Sequence, residues 1–319
     1  MRLFDRAAYD FLRYWRPAVI ATVAFALPGL GLVLVRGLNL SIEFTGGTLI
    51  QVRVADSTVQ TADIRSALES GGIPGAEIKT FSTENEYVIR ARLDARAEVS
   101  EETTQQTVAA VQGALTAAFG ADRYEVERTD AIGPKVGSEL RDRAVLAIIM
   151  AFGAIFIYLW FRFEWRFGLA AVIATLHDIV STVAFIGYLN LEVSLVVVAA
   201  LLTIIGYSLN DTIVTFDRVR ENLKKYKREK IAEILNRSIN ETLPRTVLTS
   251  GTTAVATLAL LILGGGVIRG FAWVMTFGVV TGTFSSVFIA SPVLRYIEAK
   301  WPGEDVRGAK AISATVVPQ

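Results

Sequence analysis

Six stretches of the chain are apolar on every side rather than along one face, near residues 17–36, 141–160, 168–189, 193–215, 246–264 and 271–294. A helix needs about 20 such residues to cross a bilayer, so each is predicted to span. Pro17 suits the first turn of its helix, where a missing N–H costs nothing. Between the first two spans, over 38–140, the pattern changes. "IEFTGGTLIQVRV" alternates apolar and polar residues after its glycines, which predicts a strand. "STVQTADIRSALESGG" predicts a helix opening at Ser57 or Thr58, with Val59, Ile64 and Leu68 at helical spacing and glycines to stop it. "AEIKTFS" and "EYVIRARL" read as strands joined at the polar "TEN". "SEETTQQTVAAVQGALTAAFG" reads as a helix with an acidic first turn and Gly120 at its end, and "RYEVERTDAIG" as a last strand. The order β-α-β-β-α-β is that of a ferredoxin-like split motif. The expected fold is an α-helical membrane protein of six transmembrane helices with one small α+β ferredoxin-like domain inserted between helices 1 and 2.

Charge adds an orientation. Arg2, Arg6, Arg13 and Arg16 lie in the amphipathic start, 1–16, and Arg162 and Arg166 separate spans two and three. The richest cluster, "DRVRENLKKYKREK" with Arg237 and Arg245, falls in the predicted basic loop 216–245. The loops "NLEV" and "GGGVIRG" carry little charge. By the positive-inside rule the basic loops and both termini, including the tail 295–319, are cytoplasmic. The acidic 38–140 domain then lies outside. The 319-residue chain is 52% hydrophobic and has no cysteine, which excludes disulfides and thiolate metal sites. Its one histidine, His177, sits in an apolar run with no nucleophile elbow, so an enzyme is not expected.

Polar residues inside spans are expensive and usually mark ion paths or proton relays. "GYSLNDTIVTFDR" (206–218) places Asp211, with Asn210 and Tyr207, in an otherwise apolar helix, and Arg245 follows Pro244 at the start of span five. Asp211 and Arg245 therefore reach similar depths on consecutive antiparallel helices. His177 and Asp178 lie near the middle of span three. Thr246, Thr249, Thr252, Thr253 and Thr257 line span five, where threonines commonly bond back to their own turn. Burial favours the neutral form of a carboxyl, and a nearby guanidinium favours the charged form. A movement of one against the other would couple proton binding to shape. The working candidates are Asp211 and Arg245, then Asp178, His177, Asn210 and Thr249.

Several motifs, taken together and in order, resemble the SecF side of the SecD/SecF translocation family. "EFTGG" (43–47) is similar to the family's Phe-x-Gly-Gly signature, carried here by Phe44, Gly46 and Gly47. "GPKVGSELRDRAVLAI", "LHDIV", "GYSLNDTIVTFDRVREN" and "RTVLTSGTT" follow on the matching elements, so the resemblance runs from Arg2 to about Lys300. It implies one six-span half of the resistance–nodulation–division superfamily, joining a SecD half in the bacterial inner membrane. The complex would work with the SecYEG channel, with YajC and YidC as further candidate partners. It would draw unfolded preproteins outward at a late, SecA-independent stage using the proton gradient. The resemblance places the family's SecF-borne proton-passage Asp and Arg on Asp211 and Arg245, with a further carboxylate supplied by SecD. No cofactor is implied, the coupling ion is a proton with sodium the alternative, and nucleic acid is not a partner. The short amphipathic start fits a SecF on its own chain rather than the tail of a fusion. A small-molecule exporter half of the same superfamily and a passive assembly scaffold are the competing readings.

Overall fold

A computed structural model describes residues 8–56, 58–80, 85–91 and 101–301. Among these, six helical segments are long and apolar enough to cross a membrane: Phe11–Arg36, Lys135–Arg162, Trp165–Leu189, Leu195–Lys225, Ile231–Leu263 and Ile268–Lys300. Ser57, the first two residues of "TEN", residues 1–7 of the amphipathic start and the tail from 302 lie outside the described residues.

Helix α1 (Trp15–Arg36) ends at Gly37, whose φ of 75° closes the last turn. A single helical turn, α2 (Ile42–Thr45), follows, just ahead of the glycines after which the alternating pattern predicted strand. The strand proper begins only at Gly47, because Gly46 at φ 74° and Gly47 at φ 129° turn the chain through backbone angles that side chains resist. The sheet domain then runs β1 (Gly47–Val54), α3 (Thr61–Ser70), β2 (Glu77–Thr80), β3 (Glu86–Ala91), α4 (Glu101–Phe119) and β4 (Tyr124–Ile132). All pairings are antiparallel, in the order β2-β3-β1-β4 of a ferredoxin-like sheet. Ile50, Val52 and Ile89 of the sheet meet Ile64 and Leu68 of α3 and Val111 and Leu115 of α4 in its core. Helix α3 starts later than Ser57 or Thr58, because the Asp56 carboxylate accepts both the N–H and the hydroxyl of Thr58 and holds them in a turn. Gln60 and Asp63 then cap the helix reciprocally.

The bundle comprises α1, α5 (Pro134–Arg162), α6 (Trp165–Leu189), α7 (Leu195–Lys225), α8 (Ile231–Leu263), and α9 (Gly266–Ser285) with α10 (Ser291–Lys300). Helix α5 begins straight after β4, so its first turns fall within the 38–140 stretch read as domain. The predicted basic loop 216–245 is mostly helix. Helices α7 and α8 continue well past the apolar runs, and only 226–230 connects them. The reason is amphipathic spacing: Val219, Leu223, Ile234 and Leu235 bury in one cluster while Arg218, Lys224 and Lys225 are exposed and Arg220 and Arg237 stack on Phe163 and Tyr226 at its edge. Pro244 lies inside α8 rather than opening it. Packing on both sides of the proline carries the helix through. The last span is likewise longer than 271–294. A π-helical turn, Ser286–Ala290, joins α9 to α10 just before Pro292, which has no N–H to offer a regular turn. Leu294 and Ile297 hold α10 against the main core. Where the chain enters, Asn240 of α8 grips Tyr9, accepting its N–H at 2.9 Å and donating to its carbonyl at 2.8 Å.

The domain sits on the end of the bundle where α6 gives way to α7. Arg90 of β3 pairs with Glu77 at 3.3 Å and with Glu192 of the α6–α7 connection. Gly137 of α5 lies so close to α2 that a Cβ there would meet Gly46 N at 2.9 Å and the Phe44 carbonyl at 3.2 Å. Gly137→Ala is therefore expected to destabilise the chain by about 1–3 kcal/mol through overpacking against backbone. A Cβ at Gly113 has nothing within 4 Å, so Gly113→Ala is the control. Both are read from the thermal midpoint in detergent. Burial pushes the Glu77 carboxyl up, but Lys79 and Arg90 outweigh it and hold it below the ordinary 4.5. Its contribution is complete above 4.5 and is lost as pH falls below that, through the depressed value. The midpoint should fall less steeply with acid in Glu77→Gln than in wild type.

Candidate functional site

One face of α7 carries two polar contacts a turn apart, at Ser208 and Asp211, and each engages a different helix. Ser208 meets Asp178 of α6, which is fully buried. Asp178 Oδ2 accepts from the Ser208 hydroxyl and from the Ser285 hydroxyl of α9, the latter at 2.7 Å. Its Oδ1 faces His177 Nδ1 at 3.0 Å. One carboxylate thus joins three helices. Glycines let them close on it: a Cβ at Gly282 of α9 would stand 3.0 Å from Ser208 Cβ. Buried carboxylates need this kind of partnership, since unpaired polar groups in an apolar interior are costly.

Asp211 is held more thinly. It is 3% exposed and accepts the Ser250 hydroxyl of α8 at 3.2 Å. Ser250 also lies 2.6 Å from Thr283 Oγ1 of α9, which itself donates to Val279 O at 2.8 Å. A hydroxyl has one proton. When Thr283 keeps its bond to Val279, Ser250 must choose between Thr283 and Asp211. The Ser250 hydroxyl serving Asp211 is therefore shared, as is the Ser285 hydroxyl serving Asp178, which also reaches Gly282 O at 3.1 Å; what sets Asp178 apart is the number of its partners, with His177, Ser208 and Ser285 all on it.

Arg245 does not pair with Asp211 within ion-pair distance. It lies on the exposed face of α8, in electrostatic reach of the carboxyl but not in contact. Thr249 faces Asp211 as well, yet its proton is committed to its own turn, at 3.0 Å from Arg245 O and 3.1 Å from Thr246 O. Thr252, Thr253 and Thr257 bond back in the same way. Asn210 is exposed, on the side of α7 away from the bundle. His177 is mostly covered, and its Nε2 finds no partner among the described residues. The structure thus brings Asp178 and His177 together in one node and Asp211, Thr249 and Arg245 around another. Asn210 belongs to neither. Phe44, Gly46 and Gly47 lie at the domain end, with Phe44 buried against Val193, Val197 and Val198.

Ser250 and Ser285 are the site residues that sequence reasoning passed over, and the bond from Ser208 to Asp178 was not foreseen. Their signal was faint but present: a small hydroxyl on the helix-facing side of an apolar run, with Ser208 one turn before Asp211.

A six-helix bundle with an inserted ferredoxin-like domain, and carboxylates sealed between its helices, defines a multi-pass membrane protein of transporter-like construction. Comparison with known proteins makes this specific. Residues 110–300 match the model for "Protein export membrane protein SecD/SecF, C-terminal", and residues 31–58 match the SecD/SecF GG motif. A protein translocase subunit SecF from Gemmatimonas aurantiaca is 50% identical over 98% of this chain and 95% of its own length. One from Desulfurispirillum indicum is 43% identical over 90% and 92%. The crystal structure of SecDF from Thermus thermophilus, described as translocon-associated, superposes with a TM-score of 0.79 at 38% identity, covering 92% of this chain. The chain spans only 39% of the length of that SecDF. A second SecDF structure, in a super-membrane-facing form, gives 0.67 at 36% identity. The chain belongs to the SecD/SecF family, on its SecF side.

Asp178→Ala removes the acceptor shared by Ser208 and Ser285 in a sealed site, and a loss of about 1–3 kcal/mol is expected. Asp178→Asn keeps one oxygen acceptor and should fall between the two. Thermal midpoints in detergent, measured side by side, check the order.

Proposed function

We propose that this chain works as the SecF subunit of a SecDF complex, coupling an ion gradient to late, SecA-independent export of preproteins through SecYEG. The observation that supports the coupling is the set of surroundings at Asp211: nearly complete burial, fewer hydrogen-bond partners than Asp178 has, and a fixed cation on the neighbouring helix that reaches it without contact. Such a carboxyl gains most from a change in its surroundings. Arginine suits the fixed charge because it does not deprotonate. In this reading a proton occupies Asp211 in one state, and an approach of Arg245 expels it in another; Thr249 lies between them. Sodium is the alternative ion, no cofactor takes part, and the chain performs no catalytic reaction of its own.

Partnership with SecD is supported by the exposed polar side of the two central helices. Thr203, Gly206 and Asn210 of α7 and Arg245 and Thr252 of α8 face outward from an otherwise apolar bundle. Such positions in a membrane call for polar helices opposite. SecYEG, YajC and YidC remain proposed partners, the bacterial inner membrane the proposed location, and the cytoplasm the proposed side of both termini. For Asp178 and His177 the structure favours a packing role, since the Asp178 oxygens are already engaged from three helices.

The test is precursor translocation into or out of vesicles carrying SecD with this chain, as wild type, Asp211→Asn or Arg245→Gln, after assembly has been checked. A proton gradient alone, a sodium gradient alone and no gradient are compared. Both variants are expected to fall to the no-gradient rate while wild type responds to protons. Unchanged gradient dependence would make Asp211 structural and favour the scaffold reading. Export of small molecules without any effect on precursors would favour the exporter.

A further inference from the structure

We infer that Glu43, the residue preceding Phe44 of the glycine motif, fastens the sheet domain to the first turn of α7, so that the domain and the helix bearing Asp211 move as one body. The inference rests on the coupling role proposed for Asp211.

The first N–H groups of a helix have no partner within it. At the start of α7, Ser194 accepts the Val197 N–H at 3.3 Å. The Leu195 N–H goes elsewhere, to Glu43 Oε2 at 2.6 Å. Glu43 is held for this by the Ser41 hydroxyl at 3.2 Å. A carboxylate bonding a helix N-terminus is a charge-assisted contact, and the helix dipole favours it. Glu43 comes from the linker into the sheet domain, so the cap is supplied across the domain boundary.

The same stretch is stitched to the α6–α7 connection along its length. Ser41 N donates to Val193 O at 2.9 Å, and Val193 N donates to Asn39 O at 2.8 Å. Asn39 Nδ2 donates to Asn190 O at 3.2 Å. Phe44 plugs the hydrophobic cluster at the top of α7, and Arg90 reaches Glu192 from the sheet. By contrast the neighbouring face of the sheet is not packed flush. A cavity of about 710 Å³ lies between it and the bundle, lined by Gln51, Lys79, Arg128, Arg269 and Trp273 among others. Apart from the run of β4 into α5 and the close approach of α2 to α5 at Gly137, the domain is held to the start of α7 by these point contacts rather than by a broad interface. From Leu195 to Asp211 the helix is unbroken and contains no proline. At 1.5 Å per residue the link and the carboxylate are about 24 Å apart on one rod. A tilt of α7 set by Asp211 arrives at Glu43.

The experiment uses the complex with SecD in vesicles, and exploits the absence of cysteine from this chain. Glu43→Ala, Glu43→Gln and Asp211→Asn are compared with wild type, each with and without an oxidised bridge between Asn39→Cys and Asn190→Cys. Loss of a cap of this kind costs about 1 kcal/mol, so the Leu195 amide in Glu43→Ala should exchange about fivefold faster. Glu43→Gln, which keeps an acceptor oxygen, should exchange at close to the wild-type rate. Glu43→Ala should lose gradient-driven translocation while keeping the gradient-independent part, and the bridge should restore what was lost. Restoration by a covalent link is a result that a mere folding role would not give. The inference is overturned if the bridge stops gradient-driven translocation in the otherwise wild-type chain, because the contact must then open. It is also overturned if Glu43→Ala leaves exchange and translocation unchanged while Asp211→Asn abolishes gradient dependence. Retained gradient dependence in Asp211→Asn removes instead the premise on which the inference rests.

Discussion

Lipid offers no hydrogen bonds, so a carboxylate sealed among membrane helices must be served by the protein itself. Asp178 meets this requirement by drawing on α6, α7 and α9 at once, and the central packing follows from it. The glycines of α9 are part of the same solution. Without a Cβ at Gly282 the helix can approach Ser208 closely enough for Ser285 to reach the carboxylate. Small residues at such crossings are how membrane helices gain contact when no hydrophobic force separates helix from lipid. The π-helical turn extends the arrangement, since it begins at Ser286, which meets Thr212 of α7 at 2.9 Å.

The other end of α7 is governed by a complementary requirement, that the first N–H groups of a helix be satisfied. In a self-contained bundle the connecting loop would supply those acceptors. Here part of the work is done by Glu43, from outside the bundle, and the short bridges around Val193 hold the supplier in place. One helix therefore has its middle set by a buried carboxylate node and its start set by the sheet domain. The domain is tied to this helix more directly than its place in the chain, between α1 and α5, would suggest.

Much of this was readable from the residues, for identifiable reasons. Apolar runs of membrane length have few alternatives, so the six spans stand out, and period-two alternation broken by turn residues gave the β-α-β-β-α-β order. What failed to read correctly was set by tertiary contact. Pro244 looks like a helix start, but packing of Ile234, Leu235 and Ile239 carries α8 through it from Ile231. The strand after the glycines was legible, but the turn of helix over "IEFT" was not, because it forms where Phe44 has a pocket to fill and Gly137 leaves room. Asp211 and Arg245 were legible as unusual residues at similar depth, but their separation was not, because helix rotation is decided by neighbours. Glu43 gave no signal at all. A glutamate beside a glycine motif reads as a solvated charge until the helix it caps is in view.

The two buried aspartates are alike in burial and differ in how many partners meet their oxygens. Asp178 is the more deeply buried, but its oxygens are met by Ser208, Ser285 and His177, and changing its charge would disturb three helices together. Asp211 is buried almost as well, with Ser250 donating to it, Thr249 facing it and an arginine within reach but out of contact. A group that must gain and lose a proton repeatedly is better served by the second environment, where few contacts are broken on each exchange. The first environment suits a fixed point against which α7 can move. Under the proposed function the two carboxylates would divide the task for which both were candidates in the sequence: Asp178 would hold the helices in register, and Asp211 would be the one to respond.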